Sequence, residues 1–263
     1  MDLLSISNSS ADENGGAIAV LPGADSVFLG RSSLRQNSAA GNGAAIWNAG
    51  DLTVNSSSFD QNQDPTPPGG GAIHVESSGT LNILNTSISD NVGNAIDVLG
   101  GELVASNLTL FDNSGWGIRF LSAPGAELTV HNSILAENNL GACSVTGASG
   151  TVSTHRFNLY NGAETCGLAD EASNIAGDPM LGPLQENTDS PSWYRLPMDG
   201  SLAIDNGAPP LSAIGILCSP LDQIGTLRPV DGDGDGVARC DIGAIEVQAG
   251  GSDAIFSDRF EDP

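Results

Sequence analysis

The chain has 263 residues, of which 32 are acidic and 8 basic; every basic residue is an arginine and the net charge is −24. Such a surface repels nucleic acid and anionic membranes, and leaves divalent cations or a neutral or basic surface as partners. Aromatics make up only 5% while Gly, Ser and Asn abound, and no run approaches the roughly 18 apolar residues of a membrane-spanning helix.

The N-terminus, MDLLSISNSS, has neither a basic region nor an apolar core of the kind a secretion signal carries. Leu4, Ile6 and Asn14 already fit the repeat that follows, so the chain is expected to begin in mid-solenoid, with a cap and an export signal upstream of it.

Residues 1–140 repeat. An Asn closes each unit at Asn14, Asn37, Asn62, Asn91, Asn113 and Asn138. Ahead of it stands an alternating apolar pair: Val27/Leu29, Leu52/Val54, Leu81/Ile83, Leu103/Ala105 and Leu128/Val130. Behind it comes a small-residue strand: GGAIAV (15–20), GAAIWN (43–48), GAIHV (71–75), NAIDV (94–98) and WGIRF (116–120). Short strands at a fixed spacing of twenty-odd residues, without helical stripes, predict an all-β fold, a parallel β-helix of about six rungs. At ~4.8 Å per rung the rod is roughly 25–30 Å long. Ile18, Ile46, Ile73, Ile96 and Ile118 are predicted to form one inward file, and Leu29, Val54, Ile83, Ala105 and Val130 another. The repeated Asn side chains are expected to stack as an amide ladder at a corner. QDPTPPGGG (63–71) lengthens one rung into a stiff projection.

From about 139 the period fails. Residues 141–247 read as a capping region over the last rung, holding both cysteine pairs and an Asp-rich loop. None of the four cysteines has CxxC spacing, which disfavours a zinc or redox motif and favours two local disulfides formed in an oxidising compartment. Three connectivities are open; the sequential one, Cys143–Cys166 and Cys218–Cys240, is expected. Residues 248–263 read as a flexible tail.

Two stretches, GDPMLGPLQENTDSPSWYRLPMDGSLAIDNGAP (177–209) and CSPLDQIGTLRPVDGDGDGVARCDIGAIE (218–246), together with the Asn/GGAI repeats, resemble the choice-of-anchor Q family of exported bacterial proteins, whose pattern is related to polymorphic outer-membrane protein repeats. The resemblance spans nearly the whole chain. It implies a right-handed parallel β-helix of the pectin-lyase type, placed outside the cell or at the bacterial cell surface. This chain departs from the family where Ile224 follows Asp222-Gln223 and where Ser201-Leu202 precedes the AID triplet. Phe256-Ser-Asp-Arg-Phe-Glu261 resembles short C-terminal tags and is the candidate anchor or sorting signal.

Asp231-Gly-Asp233-Gly-Asp235-Gly236 places alternate carboxylates on a glycine-rich turn, a pattern that suits Ca2+, with Gly236 at the sharp-turn position. The carboxylate that a helix-flanked calcium loop carries further on is replaced by Ile242, so Asp231, Asp233, Asp235 and Asp241 are the expected ligands, stiffening the cap rather than catalysing. The residues after the inward isoleucines, Ala19, Trp47, His74, Asp97 and Arg119, should form an outward file. Trp47, His74, Asp97 and Arg119 suit a glycan surface, with the indole stacking on a sugar ring and the charged groups bonding its hydroxyls. If the protein were an enzyme, Arg119 with Asp97 and Asp112 would serve a polysaccharide lyase, and Asp90 with Asp112, one rung apart, a glycoside hydrolase. No pectate-lyase or polygalacturonase motif stretch is found. The expectation is therefore a monomeric, non-catalytic module that contacts a polysaccharide or a surface protein, with an enzyme or a plain spacer as rivals.

Overall fold

The computed structural model describes residues 1–64, 70–153, 155–209 and 218–248. Most of the projecting loop (65–69) and the tail from 249, with the candidate sorting signal at 256–261, lie outside the described residues. Among the described residues every regular element is a β-strand.

The strands build three parallel walls. The first is made by Val27–Gly30, Asp51–Asn55, the beginnings of Thr80–Ser89 and Glu102–Phe111, Glu127–His131 and Thr151–Val152. The second contains Ser5–Ser7, Ser33–Arg35, Ser58–Asp60, the ends of the same two long strands, Ile134–Ala136, Leu159–Tyr160 and Ile175–Ala176. The third runs Ile18–Val20, Ile46–Asn48, Gly71–Val75, Asn94–Leu99, Trp116–Leu121 and Gly141–Thr146. The register is in phase from rung to rung, so equivalent residues stack. Both expected apolar files are present, and Cys143 extends the isoleucine file by one position. A third file, Leu34, Phe59, Ile88, Leu110 and Leu135, fills the interior from the second wall. Each such side chain contributes about 1.5–3 kcal/mol through burial.

Two sharp corners turn each rung, and each uses a residue in the left-handed conformation: Arg31, Ser56, Asn85, Asn107 and Asn132 between the first and second walls, Gln36, Gln61, Asp90, Asp112 and Glu137 after the second. That conformation is costly for side chains with a Cβ. The next residue in each rung offsets the cost. After the second corner stand Asn37, Asn62, Asn91, Asn113 and Asn138, all buried, each Nδ2 donating to the next Oδ1 at 3.1, 3.0, 2.8 and 2.8 Å. Each receiving Oδ1 also accepts from the backbone N–H of the preceding Asn. After the first corner a hydroxyl column does the same work: the backbone N–H groups of Leu4, Ser32, Ser57 and Leu108 donate to Ser32, Ser57, Thr86 and Ser133.

Two expectations change. Asn14 is not in the ladder: Ser9 holds its place, donating from its backbone to Asn37, while Asn14 accepts from the backbone of Asn42. The helix also continues past 140, through Gly141–Thr146, Leu159–Tyr160 and Ile175–Ala176. The period hides there because Asn158 and Asn174 enter the first-corner column instead of the second. The disulfide-tied C-terminal region covers the last rung and more. Cys166 and Leu168 tuck into the core at that end. Residues 178–209 and 218–247 fold back as a strap along the second wall's outer face, which is lined by Ser33, Ser58, Asp60, Ser87, Thr109 and Ile134, all buried. Trp193 N–H donates to Ser58, Ser87 to Gln223, and Ala244 N–H to Thr109. Gly243 lies so close that a Cβ there would stand 2.8 Å from Ile134. Ile134, Ala136, Leu159, Ala203 and Ile242 form a second apolar cluster between strap and wall. Both expected disulfides are formed, with Cα–Cα distances of 6.0 Å for Cys143–Cys166 and 5.8 Å for Cys218–Cys240.

Candidate functional site

Strand alternation puts Trp47, His74, Asp97 and Arg119 in one outward file of the third wall, in direct register. They are joined into a chain. Asp97 accepts from Arg119 Nε at 2.5 Å and Nη2 at 2.9 Å, and its Oδ2 lies 2.8 Å from His74 Nδ1. Glu76, two residues beyond His74 and hence on the same face, accepts from Trp47 Nε1 at 3.2 Å and lies 3.4 Å from His74 Nε2. Asp97 holds the Arg119 guanidinium above its ordinary pKa through that hydrogen bond. His74 is 2% and Asp97 0% exposed, so neither offers a surface to a ligand; only Trp47 and Arg119 are half-buried. The file is outward in direction and buried in fact.

The two other carboxylates considered for catalysis part company. Asp90 is held by Arg195, whose Nη2 reaches both oxygens at 3.1 and 3.0 Å, while Asp112 is exposed. Beside Asp90 lies a buried carboxylate that the repeat pattern does not single out. Asp60 stands 2.7 Å from Arg35 Nε in an approach not aligned as a hydrogen bond. Burial therefore dominates and pushes Asp60 up to about 7, although Arg35 opposes it. Arg35 stacks on Trp193 at 4.2 Å and Arg195 on Phe111 at 5.1 Å, which pins the strap to the wall.

In the Asp-rich loop, Asp231 and Asp233 are joined by Asp205, and neither Asp235 nor Asp241 lies in that group. Asp205, Asp231 and Asp233 each offer a carboxylate oxygen within 4.8 Å of the others, a set of hard donors that suits Ca2+. Asp235 caps the N–H of Val237 instead. Asp241 is fully buried and accepts from the backbone of Asp205 and Val247. It belongs to a buried group in which Arg228 lies 3.3 Å from Glu246 and donates to the carbonyls of Asp241 and Gly243. Burial raises Asp241 to about 7 and Glu246 to about 8, and lowers Arg228 from its usual value. Glu76 was within reach of sequence reasoning, since it shares His74's face by alternation. Arg195 was not, because its partner Asp90 lies 105 residues away in the chain.

Among the described residues no helix is long and apolar enough to cross a membrane. Comparison with curated proteins and with solved structures gave no significant match. The family model described as a right handed beta helix region matches residues 2–159, the stretch that holds nearly all of the stacked rungs, and the chain belongs to that right-handed β-helix family.

Proposed function

We propose that the protein is an exported, non-catalytic β-helix module that contacts glycans at the bacterial cell surface, of the choice-of-anchor Q kind. One observation carries the reading: two of the carboxylates considered for catalysis are already taken up by neighbouring side chains. Asp97 is held by His74 and Arg119, and Asp90 by Arg195. A general acid or base needs a carboxylate within hydrogen-bond reach of substrate. Two disulfides suit an oxidising compartment. The net charge of −24 favours a neutral polysaccharide or a basic protein over a polyanion. The Asp205/Asp231/Asp233 group would hold a Ca2+ that stiffens the strap. Retention on immobilised polysaccharides tests this: binding to at least one neutral polymer is expected, and absence of retention on every polymer would leave the rod a scaffold.

His74 favours the rival, a polysaccharide lyase or glycoside hydrolase. Its Nδ1 rests on Asp97, the pairing that orients a general base, although its buried Nε2 lies 3.4 Å from Glu76 and would have to be uncovered to meet a substrate.

A further inference from the structure

Folding the strap back along the second wall leaves a groove of about 510 Å3 between the first corner and the strap loops 187–190 and 219–225. That size lies within the roughly 300–1,000 Å3 of small-molecule sites. Its mouth carries Phe28, 45% exposed, whose ring lies over Gly30; a Cβ on Gly30 would stand 2.7 Å from it. Its walls include Asn55, Asn187 and Ser190. At its floor is Asn85, 2% exposed, whose Nδ2 donates to Ser219 Oγ at 3.0 Å while its Oδ1 has no partner. An unmatched buried acceptor is costly to the folded chain, and a ligand hydroxyl donating to it would recover that cost.

We infer that this groove, rather than the Trp47 face, binds a short segment of a neutral, hydroxyl-rich glycan; the inference rests on the reading of the protein as a glycan-contacting module. An aromatic ring at the mouth supplies an apolar platform for a sugar ring. Amides and hydroxyls along the walls match the mixed donor and acceptor character of sugar hydroxyls. The charge decides between neutral and acidic glycans. The lining holds three carboxylates, Asp2, Asp189 and Asp222, against a single guanidinium, Arg31, which is already paired with Asp2. A uronate or a sulfated sugar would be repelled.

Calorimetric titration of the whole chain with cellohexaose, xylohexaose, mannohexaose and hexagalacturonate tests the assignment. One neutral hexasaccharide should bind and hexagalacturonate should not. Phe28→Ala and Asn85→Gly, the latter keeping the left-handed backbone without strain, should each weaken Kd tenfold or more, while Trp47→Ala leaves it unchanged. In the unaltered protein the bound sugar should slow hydrogen exchange at 187–190 and 219–225, a readout independent of how the variants fold. Preference for hexagalacturonate, or binding lost in Trp47→Ala and kept in both groove variants, would overturn the groove while leaving glycan contact in place. No binding of any hexasaccharide would also overturn it; glycan contact itself falls only if retention on polymers is absent too.

Discussion

Asn91 stands at the centre of the corner ladder, and its amide is fully used. Its Oδ1 accepts from the backbone N–H and Nδ2 of Asn62, and its Nδ2 donates to the carbonyls of Phe59 and Ser89 and to Asn113. Asn91→Ala would leave several buried groups without partners, at about 1–3 kcal/mol for each group so stranded. Asn14 lies outside the ladder, and Asn14→Ala should cost less than about 1 kcal/mol, the ordinary worth of one hydrogen bond. Urea unfolding of the two variants checks the contrast, and equal losses would mean the ladder carries no special weight. The buried acids give a second residue-scale prediction. Asp60, Asp241 and Glu246 are raised to about 7, 7 and 8, so the folded chain keeps protons that the unfolded chain releases near pH 4. Their stabilising contribution is full below that pH and is lost as pH rises through 7 to 8. His155 acts oppositely: lowered from 6.5 to about 4 by burial, it favours the folded state above pH 6.5 and loses that effect on acidification. Above pH 6.5 the acids act alone among these groups. Thermal stability should therefore fall between pH 6.5 and 8, and Glu246→Gln should flatten the fall; a rise over that interval would contradict the placement of these carboxylates.

The walls were legible because in-phase stacking demands the same residue type at the same place in every rung: isoleucine inside, asparagine after the corner. Alternation also placed Trp47, His74, Asp97 and Arg119 on one outer file. It fixes direction but says nothing about cover, which is why the burial of His74 and Asp97 could not be read. The strap was illegible for a related reason. Its anchors join residues more than a hundred positions apart, Trp193 to Ser58 and Gln223 to Ser87, and nothing repeats among them. The Asp-rich loop shows the same limit. Its local pattern singles out Asp231 and Asp233 as candidate ligands, whereas Asp205, whose carboxylate lies within 4.8 Å of theirs, comes from a different turn. Calcium chloride should raise the melting temperature relative to chelator, an increment lost in Asp205→Asn and Asp231→Asn and kept in Asp235→Asn. No calcium increment in the unaltered protein would remove the cation from the strap. Cys143–Cys166 ties the last strand of the third wall to the segment that plugs the core. Replacing both cysteines with serine should cost about 2–4 kcal/mol, read as a lower urea midpoint.

Across the whole molecule, a ladder-stiffened rod carries a strap on one wall, and the two together form a groove that neither forms alone. The acidic surface, the disulfides and the pairing of Asp97 and Asp90 support the proposal of a protein that holds a glycan without cutting it. Cleavage is the most direct test. The chain should be incubated with a panel of neutral and acidic polysaccharides, with and without Ca2+, and new reducing or unsaturated chain ends counted over time. No ends above the buffer control are expected, on polymers that the protein retains as well as on those it does not. New ends that vanish in Asp97→Asn or Arg119→Ala would contradict the non-catalytic reading and make the His74–Asp97–Arg119 chain an active site.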